Sequence, residues 1–121
     1  MRVISNSMTM LINEFNQKEA NMSEVAVKEN GQTLNIAVKG RFDFSILQEF
    51  RDAYSDKVDS GSTFVVDLAQ TEYIDSSALG MLLNMKNHLG IADREIEIHN
   101  CQPNLMKIFN IAHFDKKFKF S

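Results

Sequence analysis

Apolar and polar positions along the chain change their period several times, and each change marks an element. Val25-Ala26-Val27-Lys28 and Leu34-Asn35-Ile36-Ala37-Val38-Lys39 alternate on either side of Glu29-Asn30-Gly31-Gln32. An Asn-Gly pair between alternating runs predicts a β-hairpin, with Leu34, Ile36 and Val38 on one face. Ile46, Leu47, Phe50, Ala53 and Tyr54 then follow a helical stripe that stops before Ser60-Gly61-Ser62. Ser45 and Gln48 have the spacing of a capping box for that helix, and Gly40-Arg41-Phe42-Asp43-Phe44 reads as the loop before it.

Residues 63–68 form a run broken only by Asp67, rich in β-branched and aromatic side chains. Such a run predicts a central strand covered on both faces. A short polar loop follows. A helix then begins at Asp75-Ser76-Ser77, with Ala78, Leu82, Met85 and Leu89 in its stripe, Leu79 and Leu83 widening it, and Gly90 as its stop. Glu95-Ile96-Glu97-Ile98-His99 alternates as a strand. Pro103 suits the first turn of a third helix carrying Leu105, Ile108, Phe109 and Ala112. Lys117-Phe118-Lys119-Phe120 reads as a final edge strand whose lysines discourage pairing. Strands alternating with helices predict an α/β fold with right-handed crossovers. The sheet is mixed and mostly parallel, of four to five strands, with an N-terminal β-hairpin and three main helices.

Residues 1–21 stand apart. Met8, Leu11, Ile12 and Phe15 share one helical face in an otherwise polar stretch without a strong cap. The expected division is an N-terminal extension over 1–21, either a short helix or disordered, and one domain over 22–121.

Composition narrows the function. The chain has 121 residues, 44% hydrophobic and 24% charged, which is enough for one globular core without disulfides. A net charge of -3 gives no basic excess for nucleic acid. No run reaches the roughly 18 apolar residues of a membrane span, and the N-terminal apolar stretch is too short for a secretory signal. Cys101 is the single cysteine, expected as a small packed residue in a cytoplasmic protein. His88, His99 and His113 are scattered, no metal-ligand spacing occurs, and no glycine-rich phosphate loop is present. Neither Ser76 nor Ser77 lies in Gly-x-Ser-x-Gly, so the strained elbow of a serine hydrolase is missing. No motif for hydrolytic catalysis, a metal or a nucleotide cofactor is therefore present in the sequence.

Asp75-Ser76-Ser77 is by residue type a helix cap. It also places hydroxyls where free backbone N–H groups favour negative charge. Three segments, in order, resemble the STAS domains of anti-sigma factor antagonists. They are Gly40-Arg41-Phe42-Asp43, Val65-Val66-Asp67-Leu68 and Tyr73-Ile74-Asp75-Ser76-Ser77-Ala78-Leu79-Gly80. The family pattern in the last is hydrophobic-Asp-Ser-Ser-Gly-Leu-Gly, from which Ala78 departs. The likeness runs from about Glu24 to the end, and Arg41-Phe42-Asp43-Phe44 together with residues 75–83 is similar to a proteobacterial partner-switching subgroup in motility and biofilm control.

The resemblance implies a non-enzymatic regulator of transcription or of such signalling. Unphosphorylated, it would bind an anti-sigma factor/serine kinase of the histidine-kinase-like ATPase fold. Phosphorylation of Ser76, the serine directly after Asp, would release it, with Ser77 as the alternative acceptor. A PP2C-type phosphatase would reset it. Phe42, Asp43, Phe44, Tyr73, Asp75, Ser76, Ser77 and Met81 are the expected partner-binding residues. A homodimer stays open. The alternatives are a constitutive STAS subunit of a membrane transport complex and a small-ligand-binding STAS module.

Overall fold

The computed structural model describes residues 23–121, so the Met8-Leu11-Ile12-Phe15 stripe lies outside the described residues. The chain forms β1 (Ser23–Asn30), β2 (Thr33–Phe42), α1 (Leu47–Tyr54), β3 (Thr63–Asp67), β4 (Thr71–Ile74), α2 (Ser76–Leu89), β5 (Ile96–His99), α3 (Pro103–Ile111) and β6 (Lys119–Phe120). Short 3-10 turns, Phe44–Ile46 and Phe114–Lys116, precede α1 and β6. The sheet runs β1-β2-β3-β5-β6, with β4 also paired to β2. Among the described residues only the hairpin β1–β2 is antiparallel. This is the mixed, mostly parallel α/β arrangement with three helices that the pattern predicts, but the described sheet has six strands rather than four to five, because β4 forms where a loop is expected.

Side chains fall on two faces because register pairs point the same way. Leu34, Ile36 and Val38 of β2 join Phe64 and Val66 of β3 and Ile96 and Ile98 of β5 on one face. Phe50 and Tyr54 of α1, Leu82, Met85 and Leu89 of α2, and Leu105 and Phe109 of α3 pack onto that face in a single core. The other face carries Asn35, Ala37, Val65, Asp67, Glu97 and His99. The expected cover on both faces of the central strand is therefore corrected. The described helices share one face, and Val65, though buried, is flanked in register by Asn35 and Glu97.

Several boundaries differ from the sequence reading for identifiable reasons. β2 is ten residues long, but β3 pairs only with its first half, Thr33 to Ala37. The remainder, which β3 leaves unpaired, is taken up by β4, a segment expected as loop, which pairs with Gly40, Arg41 and Phe42. Thr71 anchors β4: it is fully buried, and its Oγ1 donates to the Val38 carbonyl at 2.6 Å. Gly40-Arg41-Phe42 is thus strand, not loop. A register shift lies between Gly40 and Arg41. Gly40 has φ +82 there, a conformation that glycine adopts without a Cβ penalty.

The hairpin turn is Gly31-Gln32, closed by the pair Asn30↔Thr33. The capping box does not form. Asp43 caps the 3-10 turn before α1, while the Ser45 hydroxyl bonds Asp43 and the Gln48 amide donates to Asp52. Gly90 ends α2 in the left-handed conformation, as its position predicts. Ala112 is an exposed C-cap rather than part of the α3 stripe. The last strand is reduced to Lys119–Phe120, with Phe118 fully buried before it.

Candidate functional site

β2 and β4 run parallel, with Arg41 opposite Tyr73 and Phe42 opposite Ile74. One residue beyond its last residue, each strand is followed by an aspartate. Asp43 and Asp75 have nearly the same extended backbone, φ/ψ -144/-169 and -134/-172, and each caps the turn that follows. The local sequence is also the same in kind, Asp43-Phe44-Ser45 beside Asp75-Ser76-Ser77.

In the second cap, Asp75 Oδ1 accepts from the backbone N–H of Ser77 at 3.0 Å and of Ala78 at 3.2 Å. It also accepts from the Ser77 hydroxyl at 2.5 Å. In the first cap, Asp43 Oδ1 accepts from the Ser45 N–H at 3.0 Å and its hydroxyl at 2.6 Å. Each carboxylate thus satisfies donors that the turn leaves without partners. The Ser45 hydroxyl, followed by the backbone N–H of Ser45 and the Arg41 guanidinium, holds the Asp43 carboxyl below its ordinary range, against the opposing effect of desolvation.

In each triplet the middle residue stands between the aspartate and the fixed serine. Phe44 and Ser76 occupy corresponding positions, two residues past the aligned pair Phe42↔Ile74. Ser76 is exposed and is the first residue of α2. Among the described residues its hydroxyl has no hydrogen-bond partner, whereas that of Ser77 is held by Asp75. Phe44 is 69% exposed, far more than a phenylalanine serving only the core. Tyr73 is 40% exposed, and the Arg41 guanidinium lies over its ring, 4.1 Å from the centroid. Arg41 Nε also donates to Asp43 Oδ2 at 3.0 Å. That contact, first among its influences, raises the guanidinium pKa.

Of the eight expected partner-binding residues, six gather at this end of the sheet: Asp43, Phe44, Tyr73, Asp75, Ser76 and Ser77. Two do not. Phe42 is fully buried, in aromatic contact with Phe50 at 5.1 Å between centroids, and Met81 is 5% exposed within the core. Strand alternation turns Phe42 inward, and a position five residues into α2 returns Met81 to the sheet side. Both are corrected to core residues. Arg41 was missed as a site residue. The available signal was its i, i+2 spacing to Asp43, which places both on one side of an extended strand.

Cys101 is half-buried, and desolvation pushes its thiol up to about 11. Among the described residues no group of three His, Cys, Asp or Glu side chains is arranged to hold a metal ion. No described helix is long and apolar enough to cross a membrane.

This geometry is that of a known family. The family described as "Mlab, STAS domain" matches residues 25–119. A STAS-domain containing protein of Pseudomonas aeruginosa (strain UCBPP-PA14) is 46% identical over 92 residues, covering 76% of this chain and 91% of that protein. The chain belongs to the STAS domain family. Its fold is that of anti-sigma factor antagonists. An antagonist from Mycobacterium paratuberculosis superposes with TM-score 0.67 at 17% identity, over 81% of this chain and 84% of that one. The Bacillus cell-fate determinant SpoIIAA in its phosphorylated form superposes with TM-score 0.61 at 17% identity, over 81% and 91%.

Proposed function

We propose that the protein is an anti-sigma factor antagonist worked by serine phosphorylation at the paired caps. The observation that carries this reading is the difference between two adjacent serines. The Ser77 hydroxyl is tied to Asp75, while that of Ser76 is exposed and unpartnered among the described residues. In the unphosphorylated state the Phe44, Tyr73 and Ser76 surface binds an anti-sigma factor/serine kinase of the histidine-kinase-like ATPase fold. The bound kinase then passes the γ-phosphoryl group of ATP to Ser76 Oγ. The hydroxyl proton goes to a base of the kinase, and ADP leaves. A PP2C-type phosphatase hydrolyses the phosphoserine and restores binding. The antagonist supplies the acceptor and the contact surface and has no catalytic or cofactor role of its own. The setting is cytoplasmic, and the output is transcription or motility and biofilm signalling.

Charge supplies the switch. A phosphoserine adds roughly -1.5 to -2 charges. The α2 N-terminus offers some compensation, but Asp75 already occupies the N–H groups of Ser77 and Ala78. Asp43 follows the neighbouring strand and is a second carboxylate, and the Arg41 guanidinium is already engaged with it. Burying the new group in an interface then carries a large desolvation cost. A coupling of about 2–3 kcal/mol lowers affinity on the order of 100-fold, with no change of fold.

The test is phosphorylation by the cognate anti-sigma factor/serine kinase, with ATP, followed by tandem mass spectrometry. Modification is expected at Ser76. Modification at Ser77 alone, or at neither, overturns the assignment. Ser76→Ala should bind the kinase persistently, and Ser76→Asp should bind it more weakly. A dissociation constant unchanged by Ser76→Asp counts against the charge mechanism. Stable binding without any phosphorylation indicates a constitutive subunit instead.

A further inference from the structure

β1 is an eight-residue edge strand. Among the described residues, no strand pairs with its outer side. The hairpin fixes which backbone groups that side presents. Asn30 and Thr33 close a two-residue turn, the place of a hydrogen-bonded pair. Bonded and non-bonded pairs alternate from there, so Asn30, Lys28, Ala26 and Glu24 bond to β2. Ser23, Val25, Val27 and Glu29 direct their N–H and C=O groups outward. Val27 is also 48% exposed, an apolar side chain on that edge.

The strand Ser23-Glu24-Val25-Ala26-Val27-Lys28-Glu29 is complementary to itself in one antiparallel register. With Ala26 opposite Ala26 of a second copy, Val25 meets Val27, Glu24 meets Lys28, and Ser23 meets Glu29. The backbone parity agrees, because every outward-bonding residue then faces another outward-bonding residue. Side-chain faces agree too: Glu24, Ala26 and Lys28 lie on the sheet face away from the helices in both copies. Two Glu–Lys pairs and two Val–Val pairs flank the two-fold axis, each a favourable cross-strand contact. Charges on an edge strand ordinarily discourage pairing, but here their order favours this one register and opposes slippage.

We propose that β1 is a homodimerisation edge, joining two copies through this register into one continuous sheet. The two-fold axis turns the β2 strands antiparallel. The Asp43 and Asp75 caps therefore lie at opposite ends of the dimer, and each remains open to a partner. The proposal is independent of the reading of Ser76.

The test is sedimentation equilibrium of the full chain over a concentration series. The expected result is a species of twice the mass of one chain. E24K and K28E each replace two opposite-charge pairs by like-charge pairs and should weaken the dimer about tenfold. The E24K/K28E double variant restores opposite charges across the pair and should recover most of that loss. V27P removes an outward donor without touching the β2 ladder, so it should give a folded monomer by circular dichroism. Amide exchange at Val25 and Val27 should slow as protein concentration rises. A chain that stays monomeric at its highest soluble concentration overturns the proposal. A dimer indifferent to V27P and to both single charge variants overturns it as well. A double variant no tighter than the singles overturns the register.

Discussion

The Ser77 hydroxyl donates to Asp75 Oδ1 at 2.5 Å, and this bond divides two neighbouring serines into a structural and an available one. The stability consequences are distinct. Asp75→Ala leaves the Ser77 N–H and hydroxyl without their acceptor, while the Ala78 N–H keeps only the Asp75 carbonyl at 3.1 Å. It should cost about 1–2 kcal/mol, the scale of a lost N-cap. Ser76→Ala should change stability by less than about 0.5 kcal/mol, as befits an exposed position. Urea unfolding of the two variants measures both. Equal losses refute the division.

Phe42 and Phe44 are two residues apart and have opposite surroundings. Phe42→Ala empties a fully buried site against Phe50 and should cost about 3–5 kcal/mol. Phe44→Ala should leave the unfolding midpoint almost unchanged, because the ring is 69% exposed. If that ring anchors the kinase, its removal weakens binding by about tenfold or more. Calorimetric titration with the kinase, set beside an unfolding curve, separates these effects. Destabilisation by Phe44→Ala without loss of affinity removes it from the interface.

Asp43 gives the fold a defined acid response. Its folded carboxyl is held below the ordinary value of 3.8, chiefly by the Ser45 hydroxyl. Above that ordinary value the group is ionised in both folded and unfolded chains, and its contribution is complete. As pH falls below it, the unfolded chain takes up the proton first, so the contribution shrinks until the folded group is protonated too. The stability difference between the native protein and Asp43→Asn should therefore be level above about pH 5 and narrow in acid. A difference that widens in acid contradicts the assignment.

Much of this arrangement is legible in sequence because burial imposes a period. Leu34, Ile36 and Val38 reveal β2, and Ala78, Leu82, Met85 and Leu89 reveal α2, each from spacing alone. β4 is hidden because Thr71–Ile74 is too short to show a period. Its pairing depends on β2 outlasting β3, which is a tertiary fact. The caps were half visible. Asp75-Ser76-Ser77 announces itself before a long helix, whereas in sequence Asp43-Phe44 reads as loop with the cap at Ser45, and the structure gives that cap to Asp43. The two triplets become a pair only through the register of β2 with β4. Phe42 and Phe44 are alike in a string of letters, and only strand direction separates the core ring from the surface one.

Cys101 should be inert at neutral pH. Desolvation raises its thiol to about 11, so little thiolate is present. Native protein should react with a maleimide far more slowly than protein in denaturant, followed by intact mass. Rapid native labelling would show a thiol more exposed and more acidic than its half-buried position allows.

Residues 1–21 should be dispensable for folding. Every member of the described core, from Val25 in β1 to Phe120 in β6, lies after them. The three helical stripes and the central strand are supplied by the same span, so a chain beginning at Met22 retains the whole described packing set. It should melt in one cooperative transition, lowered by only a few degrees, as a loss of about 1 kcal/mol gives. An insoluble chain, or one that melts without cooperativity, places the segment within the core and moves the domain boundary upstream. A folded chain that passes from dimer to monomer in light scattering assigns the intermolecular contact to the Met8, Leu11, Ile12 and Phe15 stripe instead of β1.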